Sequence, residues 1–376
     1  MSGARILRVV TLASRTGMYG GPFDTASRQS ELARQSGFDV VLIAGSFDGD
    51  EPDAKKNRVT AKVRHVFGMS SFVDVYSFQV FIRLTQAIRA ADILHISISR
   101  EMLPLTAMVL GRLFRKGLVL QPHGMLTSRA SNFHRLFDSV LLKPWLGKRS
   151  SFVALTANEA TELERWNDRL RDRITIMGNP PPMGLERLQD GRATNRSALF
   201  AARLHPRKKV MDFAAAAATA EKHGWDESYD VLGPDEGDLE NLLEVAAAVG
   251  NLNYLGATSS EGVLRQLRNT GVFVLSSSNE PWGNVLVASF RLGVPVVLTR
   301  SSVLASVVSE YEAGIVVDDG DGQAMAEAVH LILDKSNYAL FSQRSALLGE
   351  SLFSETSAKH NLEKLYEAVA QSRGSS

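Results

Sequence analysis

Five basic or imidazole side chains, Arg203, His205, Arg207, Lys208 and Lys209, crowd into the stretch LFAARLHPRKKVMDF, where a β-type apolar run gives way to a helical pattern. An arginine can fork two phosphate oxygens and a lysine adds a point charge, so the pair Arg203 and Lys208 suits a diphosphate. The plainer reading is a solvated basic loop. In SSSNEPWGNVLVASFRLGVPVV, Ser276 to Val297, Glu280 precedes Gly283 at a second strand-to-helix junction. A carboxylate there can accept hydrogen bonds from sugar hydroxyls, while the N–H groups of Gly283 and Asn284 receive phosphate oxygens. Alternatively, Glu280 is a helix-start acid interacting with the dipole.

Weaker signals lie on other strand ends. Gly233 directly follows a strand in YDVLGPDEGD, where the backbone can pass close to a nucleotide. His123, in LVLQPHGMLTSRAS, falls just past the carboxyl end of a buried strand, the usual place for ligands in open α/β sheets. It could hydrogen-bond a substrate hydroxyl or take part in proton transfer, or be satisfied by its own loop. His95 lies inside a strand run and reads as structural. Gly20 and Gly21 lead into a helix with Pro22 in its first turn, which offers an anion site at the helix start or simply a tight turn. FDGDEPD and DDGDG contain Asp-x-Asp but read as surface turns, so no metal is expected.

The elements that must carry these residues alternate regularly. Strand candidates are Ile6–Leu12, Val40–Ala44, Ile93–Ile98, Leu118–Gln121, Phe152–Thr156 and Ile174–Met177, with helical patterns between them, including Val75–Ala90 and His134–Lys148. GNPPPMGLERLQDGRATNRS interrupts the pattern, because three prolines and a polar tail cannot form an element interior. Alternation resumes with Leu199–Ala201, Tyr229–Leu232, Leu252–Leu255, Val272–Leu275, Val294–Thr299 and Gly314–Val317. This predicts an α/β protein of two doubly wound parallel-sheet domains, 1–178 and 179–355, and a final amphipathic helix over 356–376.

The length of 376 residues accommodates two cores. The absence of cysteine fits a reducing, cytoplasmic setting, and no apolar run is long enough to span a membrane. The N-terminus lacks an export cleavage pattern and reads as a first strand. The net charge of +1 conceals an asymmetry: residues 1–178 hold 25 Lys/Arg against 16 Asp/Glu, and the remainder 17 against 25. A basic half facing something anionic would explain this, as would attraction between the halves.

Taken in order, the Gly20–Gly21 loop, PHGML at 122–126, Asn179, ARLHPRKK at 202–209, the 276–297 stretch and LFSETS before the last helix resemble the retaining, nucleotide-sugar-dependent glycosyltransferases of family 4. The likeness spans nearly the whole chain. It implies the GT-B fold, two Rossmann-like domains facing across a cleft, with an N-terminal acceptor domain that the terminal helix rejoins and a C-terminal donor domain. The implied reaction moves a sugar from a UDP- or GDP-sugar to a glycan or lipid-linked acceptor, as in surface polysaccharide synthesis, with no cofactor, metal or nucleic acid. By the same resemblance Arg203 and Lys208 hold the donor diphosphate, and His123 and Glu280 lie beside the transferred sugar. Gly20, Gly21, Gly233, Pro281, Trp282, Gly283, Asn284 and Val285 complete the donor site.

Three positions depart from the family pattern: Ala288 replaces its second glutamate, Lys209 a glycine after the lysine, and Pro180 a glycine after Asn179. Losing that second glutamate's carboxylate would cost about 1.5–3 kcal/mol of ribose binding if nothing substitutes for it. A non-catalytic GT-B protein that binds a sugar nucleotide or a partner is therefore the alternative. The segment SRASNFHRLFDSVLLKPWLGKRSS sets Arg129, Arg135, Lys143, Lys148 and Arg149 among Phe133, Phe137, Leu141, Leu142, Trp145 and Leu146. That pattern suits weak contact with an anionic membrane surface at its inner face, or a core-packing helix with solvated charges.

Overall fold

A computed structural model of the chain describes residues 3–13, 21–47, 57–67, 72–126, 131–147, 150–185, 196–278, 280 and 282–374, omitting the side chains of 372–374. Two compact units emerge: Met1–Pro180 with Glu355–Ser376, and Pro181–Ser354. The division thus falls at Pro180/Pro181, within the proline run, two residues beyond the boundary expected from sequence.

Unit 1 contains β1 (Arg5–Leu12), β2 (Asp39–Ser46), β3 (Arg58–Lys62), β4 (Arg64–His65), β5 (Val75–Tyr76), β6 (Ile93–Ser97), β7 (Gly117–Gln121), β8 (Ser150–Ala154) and β9 (Ile174–Ile176). Its helices are α1 (Gly21–Gln35), α2 (Phe78–Ala90), α3 (Met102–Leu113), α4 (Asn132–Phe137) and α5 (Ala157–Trp166). Seven strands make one parallel sheet in the order β3-β2-β1-β6-β7-β8-β9. The order reverses between β1 and β6. Because β1 is covered on both faces, it is mostly apolar, with Arg8 and Thr11 the polar positions inside it. Leu7 and Val9 join the core formed by Leu84, Met108 and Leu163, while Ile6 packs with Leu32 and Leu362 on the other side.

Unit 2 repeats the plan with β10 (Ser197–Ala201), β11 (Ser228–Leu232), β12 (Leu252–Tyr254), β13 (Val272–Leu275), β14 (Val296–Thr299) and β15 (Gly314–Val317). They form a parallel sheet in the order β12-β11-β10-β13-β14-β15, which reverses between β10 and β13. Helices α6 (Val210–Lys222), α7 (Leu239–Ala248), α8 (Ser260–Leu267), α9 (Asn284–Leu292), α10 (Ala305–Tyr311), α11 (Gly322–Leu333) and α12 (Lys335–Leu352) accompany it. Ala216, Ala217 and Ala220 of α6 are fully buried, and a Cβ on Gly322 would lie 2.8 Å from that of Ala215, so small residues let α6 and α11 approach closely.

The last helix, α13 (Glu355–Gly374), belongs to unit 1. Leu362, Leu365, Tyr366 and Val369 bury one of its faces. The Tyr366 hydroxyl lies 2.8 Å from Nδ1 of His95, which is wholly buried in β6, as its strand context predicts. Below them the buried guanidinium of Arg8 bonds the His95 carbonyl (3.0 Å), Gln29 and Gln121 (3.1 Å), with Gln121 in turn 3.5 Å from Asn179. Burial pushes the Arg8 pKa down to about 10, so it stays charged at neutral pH.

Two sequence expectations change. Rather than one helix over His134–Lys148, the chain forms α4, a π turn over Asp138–Leu142 and a 3-10 turn over Lys143–Trp145. Asp138 is drawn inward by Arg100 (2.8 and 2.7 Å) and Trp166 (2.8 Å), and Pro144 cannot continue an α-helix. The expected helix at Val75–Ala90 starts only at Phe78, capped by the Ser77 hydroxyl, since Val75 and Tyr76 pair with β4 instead.

Candidate functional site

Where strand order reverses in an open parallel sheet, the loops leaving adjacent carboxyl ends diverge and leave a crevice for ligand. In unit 2 that point lies between β10 and β13, the two strands that lead to Arg203 and Glu280. The loop after β10 is zipped to the loop after β11: Leu204 N–H donates to the Pro234 carbonyl (2.8 Å), and Asp238 N–H donates to Leu204 (3.1 Å). Gly233 makes this possible. A Cβ there would sit 1.8 Å from the Ala202 carbonyl oxygen, and its φ of +153° is one that side chains rarely tolerate. Its close approach is thus to the chain's own backbone.

Arg203 extends from this platform and places Nη1 2.6 and 2.8 Å from the two carboxylate oxygens of Glu236. Lys208 ends a 3-10 turn, Pro206–Lys208, that is capped when Nδ1 of His205 accepts the Arg207 N–H at 3.0 Å. The segment after β13 grips that turn. Ser276 Oγ contacts the carbonyls of Lys208 and Lys209 (3.1 and 2.8 Å), and Ser278 N–H donates to Arg207 (3.0 Å). Lys208 consequently meets Glu280 in an ion pair whose side chains are 13% and 9% exposed. The Glu280 carbonyl is fixed by Val303 N–H at 3.2 Å.

Gly283, with φ +80°, caps α9, so Asn284 and Val285 open the helix and stand half-buried. Trp282 turns inward, edge-on to Phe353 with ring centroids 5.7 Å apart, and is 7% exposed. Its indole is therefore packed into the interior against Phe353. Ala288 is buried within α9. Pro281 and Gly20 lie outside the described residues, and Gly21 is the first residue of α1. In DDGDG each carboxylate has a local partner: Asp318 with Arg300, Asp319 with Ser301, and Asp321 capping α11 at Ala324 N–H.

Lys209 adopts φ +54°, ψ +43°, the left-handed region where a side chain costs roughly 1 kcal/mol. This accounts for a position at which glycine fits. Lys209→Gly is expected to stabilise unit 2 by about 1 kcal/mol, seen as a higher urea midpoint at an unchanged slope.

Unit 1 carries its own group one strand beyond its switch point. His123 follows β7 with φ +50°, and its Nε2 lies 3.2 Å from Ser97 Oγ at the end of β6. Glu159 holds this loop, accepting Gly124 N–H at 2.5 Å and Leu155 N–H at 2.6 Å. Glu101 accepts from Ser99 Oγ (2.7 Å) and from Thr11 Oγ1, and burial raises its pKa against those two bonds. Sequence reasoning missed Glu236, Glu101 and Glu159. Only Glu159 carried a local signal, the capping-box spacing Thr156-x-x-Glu159, of which the structure forms the Thr156 half while the Glu159 carboxylate reaches Leu155 N–H instead.

Burial, and secondarily Arg8, pushes the His123 pKa down to about 3, so the imidazole is neutral. The unfolded state, with a histidine pKa of about 6.5, binds the extra proton between these values, so stability rises with pH across that window. The contribution is complete above about pH 6.5 and fades as pH falls toward 3. Melting curves of wild type and His123→Gln are expected to converge below pH 6, and the His123 ring resonances should not titrate between pH 5 and 8.

With this geometry in place, similarity to known proteins is informative. Residues 189–345 match the family of glycosyl transferases group 1. The chain is 45% identical over 101 residues to the lipopolysaccharide core biosynthesis glycosyltransferase LpsE of Rhizobium meliloti, covering 27% of this chain and 29% of that protein. It is 27% identical over 240 residues to the D-inositol 3-phosphate glycosyltransferase of Corynebacterium urealyticum, covering 58% and 56%. The alignments thus span between about a third and just over half of these relatives' lengths. The crystal structure of Anabaena HepE in complex with UDP-glucose superposes with a TM-score of 0.72 over 97% of this chain and 99% of that one, at 14% identity. At that identity the likeness establishes the fold.

Proposed function

From the premise that the chain carries a group 1 glycosyltransferase domain on a GT-B fold, we propose that it is a retaining glycosyltransferase using a UDP- or GDP-sugar. Its acceptor is a hydroxyl of a glycan or lipid-linked saccharide in surface polysaccharide synthesis. The carrying observation is the pair of cations at the switch point of unit 2, Arg203 and Lys208, each satisfied by a carboxylate, Glu236 and Glu280. A diphosphate supplies the same oxygens in place of Glu236, with Lys208 shared between phosphate and Glu280. The relatives named for lipopolysaccharide core synthesis and inositol phosphate glycosylation, and a neighbour crystallised with UDP-glucose, support this reading.

Chemically, the bond between the sugar anomeric carbon and the donor phosphate oxygen breaks while the acceptor oxygen bonds to the same face. The acceptor proton passes to the departing phosphate. Negative charge grows on the leaving diphosphate, where Arg203 and Lys208 stabilise it most strongly in the transition state. Glu280 accepts from sugar hydroxyls. Neutral His123 has a ring nitrogen available to hydrogen-bond the transferred sugar without adding a competing charge. Neither a metal nor a cofactor is required in this scheme.

The segment after residue 131 bears on membrane contact. Phe133, Leu136, Val140 and Leu141 are exposed, whereas Leu142 is buried and Phe137, Trp145 and Leu146 pack on the core. Exposure is thus narrower than the sequence reading expects, and Arg129, Lys148 and Arg149 lie outside the described residues. No described helix is long and apolar enough to cross a membrane. Peripheral contact at a cytoplasmic membrane face, delivering a lipid-linked acceptor, completes the proposal.

Buried Ala288, which offers no acceptor for the donor ribose, favours one other reading: a non-catalytic protein that binds a sugar nucleotide. Incubation with a panel of UDP- and GDP-sugars decides. Release of nucleoside diphosphate with transfer, and a product of unchanged anomeric configuration by NMR, supports the enzyme. Binding without hydrolysis or transfer supports the alternative, and inverted product overturns the retaining mechanism.

A further inference from the structure

Four non-glycine residues among those described have positive φ. Arg115 and Glu312 follow the ends of α3 and α10, and Lys209 joins the 3-10 turn to α6. A left-handed residue is an ordinary way to close a helical turn, so these three have a local reason. His123, at +50°, follows a strand and closes no helix. A side chain stays in that region only where its surroundings over-determine the backbone.

The flanking backbone shows what holds it. Met125 N–H donates to the Pro122 carbonyl at 2.9 Å and closes a turn around His123 and Gly124. Glu159 accepts Gly124 N–H, and Arg100 Nη1 donates to the Met125 carbonyl at 2.9 Å. The rest of the Arg100 guanidinium is committed elsewhere. Its Nε and Nη2 fork onto the two carboxylate oxygens of Asp138 at 2.8 and 2.7 Å, and Trp166 Nε1 donates to the same carboxylate at 2.8 Å. The paired side chains are 15% and 1% exposed. A buried ion pair adds little net stability over apolar packing, because desolvation offsets the attraction. What this pair adds is direction: with one edge pinned by Asp138, the planar guanidinium aims Nη1 at a single carbonyl. Asp138 also opens the π turn, a departure from the α-helix that recurs at functional sites.

We propose that Arg100, oriented by Asp138, is a positioning residue that fixes the backbone of the His123 loop and with it the direction of the His123 ring. This rests on the reading of His123 as a partner of the transferred sugar, and Arg100 acts only through it. The charged and titratable groups about the ring are Arg8 from β1 and His95 from β6, with Arg100 and Glu159 on the flanking backbone.

Arg100→Lys tests this, because lysine keeps the charge beside Asp138 but cannot fork onto it and reach Met125 together. Asp138→Asn loosens the same fork from the other side and is the second variant. NMR of the full chain with labelled histidines, the His123 signal being the one lost in His123→Gln, reads the ring directly. That signal is expected to stay fixed between pH 5 and 8 in wild type and to titrate there in both variants, as the loosened ring meets solvent. With the panel of UDP- and GDP-sugars, kcat for nucleoside diphosphate release is expected to fall about tenfold or more at an unchanged donor KM. In a His123→Gln background Arg100→Lys is expected to have no further effect on kcat. A fixed His123 signal and wild-type kcat in both folded variants would overturn the proposal. So would an undiminished effect of Arg100→Lys in the His123→Gln background. Absence of turnover by wild type across the panel would instead count against the glycosyltransferase reading, and the ring titration would still decide the positioning role.

Discussion

Arg203→Ala is expected to lower sugar transfer about 10²- to 10³-fold while leaving the melting temperature nearly unchanged. The two effects separate because they draw on different surroundings. In the resting protein Arg203 is 43% exposed and its partner Glu236 31% exposed, so the ion pair contributes less than about 1 kcal/mol to folding. In the proposed transition state the same guanidinium would face a diphosphate that is gaining charge, where one positioned donor contributes roughly 3–4 kcal/mol. Glu236→Gln should do the reverse, tightening nucleoside diphosphate binding by removing the carboxylate that competes for Arg203. Initial rates with saturating donor, together with a thermal melt of each variant, check the pair.

Lys208→Met is expected to damage both activity and stability. Lys208 and Glu280 are nearly buried, and removing the ammonium leaves a carboxylate with no cation in a poorly solvated crevice. Breaking such a pair from one side costs about 3 kcal/mol, and transfer should fall about 10²-fold or more. Glu280→Gln keeps the side-chain shape and a carbonyl that can accept from Lys208, so it should cost far less stability while still weakening the grip on sugar hydroxyls. Denaturant titration separates the two. If Lys208→Met melted like wild type, the pair could not be the joint between the β10 and β13 loops that its geometry indicates.

The alternation of apolar runs and helical patterns placed the strands because these sheets are buried on both faces, so β10 and β13 read as SALFA and VFVL with hardly an interruption. Edge strand β3 escaped notice for the converse reason: of RVTAK only Ala61 is fully buried, so it carries no apolar run. Arg203, Lys208 and Glu280 were legible because strand-end positions and charge type are local properties. Glu236 and Glu101 were not, since Glu236 meets Arg203 across 33 residues and Glu101 meets Thr11 across 90, and no spacing rule links them. The inward turn of Asp138 belongs to the same class, because its partners Arg100 and Trp166 lie 38 and 28 residues away in sequence. The left-handed backbones of His123 and Lys209 went unseen because lysine carries no signal for a positive φ and histidine's enrichment there does not fix any one position.

Titration calorimetry with UDP, GDP and the corresponding nucleosides, on wild type and Arg203→Gln, measures most directly whether the switch point of unit 2 grips a diphosphate. Wild type should bind one nucleoside diphosphate per chain far more tightly than its nucleoside, and Arg203→Gln should erode that difference about 10- to 100-fold. Equal affinity for diphosphate and nucleoside, or a diphosphate affinity that Arg203→Gln leaves untouched, would contradict it.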